Sequence, residues 1–390
     1  MSSQLAATEV SDYVVSLRRH FHQHPELGFK EFETANRIEA ELRSMGLSPV
    51  RITETGIMAD IKGGEPGRMV AVRADIDGLP VVEENNLEFA SQNKGVMHAC
   101  GHDGHTSMLL GLAKLLVKEK PKIKGTVRLL FQPAEECPPG GAIEMIKAGA
   151  MEGVDFVIGQ HVDATVPSGK VEVWYGPSMA NADIFRVTIH GKGGHGSEPQ
   201  DTIDSIVLAS QFVVNLQTIV SRRKNPVTPA VVSVGTFNAG FRDNIIAPKA
   251  ELTGTVRTLS DDMKEFIKDE IQKVLKGVCL PVGATYDFSW EDGYPVLEND
   301  PGVARVFEDV ATEILGKESV LHPPPRMGGE DFSYFTKATR GAYYFLGVRN
   351  EGKGIASPHH SPTFNLDDDA LKYGVEILYR STLRLLEKGA

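Results

Sequence analysis

The chain has 390 residues, a formal net charge of −11, 41% hydrophobic and 24% charged residues; that length allows two domains with a large buried core. The acidic balance argues against a nucleic-acid partner, because phosphate binding needs a basic surface, and no apolar run approaches the ~18 residues of a membrane span. Met1–Asp12 lacks the basic start and apolar middle of a secretory signal, and Cys100, Cys137 and Cys279 make no disulfide framework, so a cytoplasmic location without a membrane partner is expected.

Residues 13–46 read as helical, with Leu17 and Phe21 before Pro25 and Phe32, Ile38, Leu42 and Met45 after it. The histidines of His20-Phe-His-Gln-His24 lie at a helix end beside Arg18 and Arg19, whose charges disfavour a cation, so a structural or solvated role is expected for them. Met69 to Arg73 is a short apolar strand, followed by Asp75 and Asp77. His98-Ala-Cys-Gly-His-Asp-Gly-His105 then packs three histidines, a cysteine and an aspartate together, and a helical pattern of Met108, Leu109, Leu112, Leu115 and Leu116 follows at once. Thr126 to Phe131 is a strand that leads through Gln132-Pro-Ala134 to Glu135 and Glu136, and Val154 to Gly159 is another that leads to His161.

Residues 183–292 change character. Strand-like Asp183–His190, helical 203–220, strand-like 231–237 and 250–257, helical 263–278 and strand-like 285–290 follow in the ferredoxin-like order β-α-β-β-α-β. We therefore expect an α/β catalytic domain, 1–182 and 293–390, with a mixed sheet covered by helices, and an inserted ferredoxin-like domain at 183–292. The Gly191–Gly196 loop lacks the Gly-Lys-Ser/Thr ending of a nucleotide-phosphate loop. Tyr343 to Val348 is a last strand, and His359-His360-Ser-Pro362 lies in the loop after it.

Open α/β sheets collect ligands beyond the carboxyl ends of their strands. Singly, paired glutamates are mostly solvated and a histidine after a strand is mostly a surface residue. Here three strands deliver Asp75 and Asp77, Glu135 and Glu136, and His161 to one rim, and Cys100 and His102 sit at a helix start that can face it. A thiolate and an imidazole two positions apart can hold one metal ion, so the pattern points to a metalloenzyme. Two other classes stay open at this point. One is a cysteine hydrolase with Cys100 as nucleophile and His102 or His98 as base; the other is a closed, non-catalytic metal site with no need of Glu135.

The chain resembles the metal-dependent N-acyl-amino-acid amidohydrolases, a group of aminoacylases, hippurate hydrolases, plant indole-acetyl-amino-acid hydrolases and carboxypeptidases. The likeness covers nearly the whole chain. It rests on His24-Pro-Glu-Leu-Gly28, Arg73-Ala-Asp-Ile-Asp-Gly-Leu-Pro80, Met97–His105, Gln132-Pro-Ala-Glu-Glu136, Gly191–Ser197, Asp243-Asn-Ile-Ile246, Gly254–Arg257, Gly328–Phe332 and His360-Ser-Pro362. The resemblance implies two divalent metal ions, zinc before manganese, cobalt or nickel, held by Cys100, His102, Glu136, His161 and His360. It implies Glu135 as general base and acid, Asp77 as a supporting aspartate, and His195 as a histidine that reaches a partner's active site in a homodimer formed through the inserted lid and dimerisation domain. Asn244 and Arg257 become candidates for the substrate's carbonyl or carboxylate. The implied substrates are N-acyl amino acids or short N-blocked peptides, with N-acetyl-diaminopimelate deacetylation as an alternative.

Overall fold

The computed structural model describes residues 5–390, and they form two compact units. The first takes the described residues up to Gly176, with Glu298–Pro324 and Asp331–Ala390. Its eight-stranded mixed sheet runs Val50–Arg51, Ile57–Lys62, Lys124–Gln132, Glu65–Asp75, Phe156–Pro167, Arg340–Arg349, Val171–Glu172, Val320–Leu321. The four long strands from Lys124–Gln132 to Arg340–Arg349 are parallel neighbours. They are buried on both faces over most of their length, which is why they read as near-continuous apolar runs. Val70, Val72 and Ala74 enter one core with helices His102–Glu119 and Leu371–Lys388. Arg73 and Asp75 alternate to the other face, where Phe332 stacks on Tyr343.

Three expected elements differ in extent. The helical stretch at the start is two helices, Ser11–Gln23 and Phe32–Ser44, because Pro25 and the turn after it interrupt the pattern. The Val154–Gly159 strand is Phe156–Pro167, so His161 lies within a strand rather than after one. Asp75 is likewise the last residue of its strand. In both cases the polar residues that suggested an end belong to the site described below. No helix among the described residues is long and apolar enough to cross a membrane.

The second unit is Pro177–Leu297 with Pro325–Glu330. Its four-stranded antiparallel sheet has the order Ala230–Ala239, Lys249–Thr258, Asp183–His190, Thr285–Glu291. Helices Ser205–Thr218 and Asp261–Cys279 connect the strands in β-α-β-β-α-β order, each with an N-cap: Asp204 accepts from Ile206 and Val207 N–H, and Ser260 from Met263 N–H. Phe185, Val187 and Ile189 meet Phe212, Leu216, Ile219, Ile267 and Ile271 in a separate core. The outer side of the first helix leaves Ile206, Val207 and Val214 exposed, and the edge strand exposes Val231 and Phe237.

Candidate active site

The first unit brings Cys100, His102, Glu135, Glu136, His161 and His360 together. Gly101 makes this possible. It has φ +89°, and a Cβ there would lie 2.3 Å from Val162 Cγ2, so only glycine lets the helix start press against the strand of His161. Cys100 Sγ consequently sits 3.5 Å from His161 Nε2. The Thr106 hydroxyl ties the same helix to the end of the neighbouring strand by donating to the Asp75 carbonyl at 3.0 Å. His360 enters from the late loop: its N–H donates to the Ala99 carbonyl at 2.8 Å, and its Nε2 lies 3.1 Å from Glu136 Oε1. His360 and Ala134 are non-glycine residues with φ +61° and +54°. Such conformations cost about 1–3 kcal/mol each and persist only where the surroundings fix them.

Hydrogen bonds decide which histidines can take a cation. His102 Nδ1 faces Asp77 Oδ1 at 3.2 Å, while its Nε2 is buried without a hydrogen-bond partner. His161 Nδ1 faces the Val162 carbonyl at 2.6 Å and leaves Nε2 towards Cys100. Both arrangements favour a hydrogen on Nδ1, which makes Nε2 the nitrogen that a cation would take once the ring is neutral. His105 is close by but differs. Its Nε2 accepts the Val162 N–H at 2.8 Å and its Nδ1 meets Asp75 Oδ1 at 2.5 Å, so both nitrogens are engaged and it braces the His161 strand. Asp75 also accepts from Arg73 at 2.7 Å. Asp77 is filled by His102 and by the Glu135 and Glu136 N–H groups, at 3.1 and 3.0 Å, which makes it an orienting residue.

Candidate ligand atoms of Cys100, His102 and His161 lie within 4.8 Å of one another; so do those of Cys100, Glu136 and His360, and those of His102, Glu135 and Glu136. A buried imidazole nitrogen that makes no hydrogen bond, 3.7 Å from Asp75 Oδ2 and beside a thiol and carboxylates, fits a divalent cation. The charges agree. Burial, then the Glu136 and Glu135 carboxylates, push the Cys100 thiol well above its usual range. Burial opposes a proton on His102, yet Asp75 and Asp77 outweigh it and push the group up to about 10. Burial with His105 and His359 beside it holds His161 well below its usual value, hence neutral. Burial opposes ionisation of Glu136, but His360 and His102 outweigh it and lower the carboxyl. Glu136 thus stays ionised beside a neutral His161, within a cluster of carboxylates, imidazoles and one thiol.

His195, Asn244 and Arg257 belong to the second unit. His195 is exposed, pairs in register with Ile245, and has its Nδ1 2.8 Å from the Ser197 hydroxyl. Gly196 N–H donates to the Asn244 carbonyl at 2.9 Å, so the two loops run side by side. Arg257 is half-buried in the strand Lys249–Thr258, and burial lowers its ordinary value. Sequence reasoning missed Glu31, a fully buried carboxylate that accepts the Ala134 N–H at 2.8 Å. It also missed Arg73, which joins Asp75, Gln132, Tyr343 and Asp331 beneath the rim.

The same chain is recognisable among known proteins. Residues 71–384 match the model of peptidase family M20/M25/M40. Thermostable carboxypeptidase 1 of Saccharolobus solfataricus is 43% identical over 373 residues, covering 94% of this chain and 93% of that protein. The N-acyl-L-amino acid amidohydrolase of Geobacillus stearothermophilus is 48% identical over 299 residues, 76% of this chain and 81% of that one. A solved Bacillus subtilis structure, described as a dinuclear metal binding peptidase from the M20 family, matches with a TM-score of 0.87 at 34% identity, covering 97% of this chain and 99% of its own. The chain therefore belongs to peptidase family M20/M25/M40.

Proposed function

We propose that this enzyme hydrolyses the amide bond of N-acyl amino acids or short N-blocked peptides at the site of the first unit. The observation that carries the reading is His102: Asp77 fixes its tautomer, and its buried Nε2 has no hydrogen-bond partner beside Cys100, His161 and Glu136. Cys100, His102, Glu136, His161 and His360 would hold two divalent ions, zinc foremost, with manganese, cobalt or nickel as substitutes. When bound, such ions polarise an amide carbonyl and acidify water. Glu135 takes the proton of the attacking water and hands it to the leaving amine, a contribution of roughly 10²–10⁴-fold. Asp77 keeps His102 and the two glutamate peptides in place. Arg257, with its planar fork, and Asn244 would meet the substrate's carboxylate or carbonyl.

Names of the similar proteins, a carboxypeptidase and an N-acyl-L-amino acid amidohydrolase, support this substrate class. A cysteine nucleophile is the weaker reading, since burial and two glutamates raise the Cys100 thiol where an attacking thiolate needs the reverse. We place the enzyme in a reducing cytoplasm, which suits three free cysteines. We also propose a homodimer through the second unit, whose exposed Ile206, Val207, Val214, Val231 and Phe237 offer apolar surface, with His195 serving the neighbouring subunit.

The test combines chelation with a substrate panel. Dialysis against a chelator should abolish hydrolysis of N-acetyl and N-benzoyl amino acids or N-blocked dipeptides, and zinc, manganese, cobalt or nickel should restore it. Cys100→Ser, His161→Ala and His360→Ala should each lower metal content. Full metal content in all three variants, or activity indifferent to the chelator, would refute the proposal.

A further inference from the structure

Glu31 stands just before the helix Phe32–Ser44, yet its side chain is fully buried. Its carboxylate reaches the turn that carries both site glutamates. Oε1 accepts the Ala134 N–H at 2.8 Å and the Phe29 N–H at 3.0 Å, and Oε2 accepts the Thr55 hydroxyl at 2.8 Å. The next two peptides, Glu135 and Glu136, donate to Asp77. Two carboxylates from distant parts of the chain therefore grip three consecutive N–H groups.

That grip has a conformational purpose. Ala134 holds φ +54°, which alanine does not choose for itself. A relaxed φ would rotate the following peptide and swing Glu135 away from His102 and Glu136, with which its oxygens now share a 4.8 Å cluster. The segment before Glu31 is packed tightly against the same turn: a Cβ on Gly28 would lie 3.1 Å from Ala134 Cα and 2.7 Å from Cys137 Sγ. The geometry points to Glu31 as a positioning residue for amide hydrolysis, one that locks Ala134 in its left-handed conformation so that the Glu135 carboxylate stays beside the cation-binding groups. This rests on the reading of Glu135 as the proton carrier.

Two substitutions separate the reach of the hydrogen-bonding oxygens from the carboxyl group itself. Glu31→Gln keeps an oxygen for the Ala134 and Phe29 N–H groups, and the Thr55 hydroxyl can accept from its amide, so kcat should stay within about threefold of wild type. Glu31→Asp keeps the carboxyl group but withdraws the oxygens by about one carbon–carbon bond, ~1.5 Å. Its kcat should fall roughly 10–100-fold, the scale of an ångström of misplacement, with KM and metal content unchanged. Thr55→Val, which breaks only the Oε2 contact, should lower the melting temperature and leave kcat alone. A folded Glu31→Asp enzyme at least as active as Glu31→Gln overturns the proposal, as does loss of metal in Glu31→Asp. Where Glu31→Asp does not fold, Glu31→Gln decides: retained kcat supports the proposal and lost kcat overturns it. Glu135→Gln is measured alongside. If it keeps its activity, the parent reading falls and takes this one with it; if it is inactive while Glu31→Asp is unaffected, Glu31 alone was misread.

Discussion

Asp77→Asn is the substitution whose cost can be followed atom by atom. One carboxylate oxygen of Asp77 faces His102 Nδ1 and the Glu135 N–H, and the other accepts the Glu136 N–H. An asparagine amide offers one oxygen and one NH₂ group. If its oxygen serves His102 and Glu135, the NH₂ confronts the Glu136 N–H, and a buried donor is left unpaired at a cost of about 1–3 kcal/mol. If the amide is reversed, the NH₂ confronts His102 Nδ1. His102 can accommodate that only by moving its hydrogen to Nε2, which removes the lone pair meant for a cation. The second arrangement, and in the first the loss of the carboxylate charge beside His102, should weaken zinc binding about 10–100-fold, the usual range for altering a partner that orients a ligand histidine. The assay is a zinc titration of metal-free wild type and variant against a competing chelator, with denaturant midpoints of both metal-free forms. Zinc affinity within about twofold of wild type would show that Asp77 does not fix His102, against the stated range for such partners.

Metal binding should release protons and strengthen as pH rises. Burial raises Cys100, and Asp75 with Asp77 raise His102 to about 10 against burial, so in the metal-free protein both groups are protonated near neutrality and both must lose their proton to bind. Calorimetry in buffers of different ionisation enthalpy should find about two protons released per chain from Cys100 and His102, with a further share from His360, whose proton Glu136 favours, and fewer than one would contradict the ligand assignment. If His195 acts across subunits, mixing inactive His195→Ala and Glu135→Gln proteins should restore activity towards half that of wild type. No recovery in heterodimers confirmed by mass would mean that His195 acts within its own chain or not at all.

What could be read in the sequence was whatever clusters along the chain. His98–His105 holds Cys100 and His102 two residues apart, and the strand before Glu135 and Glu136 is a plain apolar run, so their meeting at a strand end follows from the sheet rule. The alternating strands and helices of 183–292 were equally plain, because each strand shows one face to a single core. The sequence puts His161 past its strand because Gln160, His161 and Asp163 interrupt the apolar pattern; yet His161 faces Cys100, Gln160 meets Met108 and Tyr344 in the core, Asp163 accepts from Thr165, and the backbone ladder continues to Pro167. Glu31 was invisible because its partner is a backbone N–H of Ala134, more than a hundred residues away, and because alanine carries no mark of a left-handed conformation. His105 resembles a ligand by position, and only the Val162 N–H on its Nε2 shows that it is a brace. Tautomer and backbone conformation are three-dimensional facts, and the division of labour among these histidines depends on them.

On the proposed mechanism Glu135, beside the candidate metal-binding groups, carries the proton in amide hydrolysis. The most direct measurement is kcat of Glu135→Gln on an N-acyl amino acid, with metal content determined on the same sample. Unchanged metal content, near-normal substrate affinity and a loss of kcat of about 10² or more are expected. A fully metal-loaded Glu135→Gln enzyme that kept more than about a tenth of wild-type kcat would contradict that mechanism.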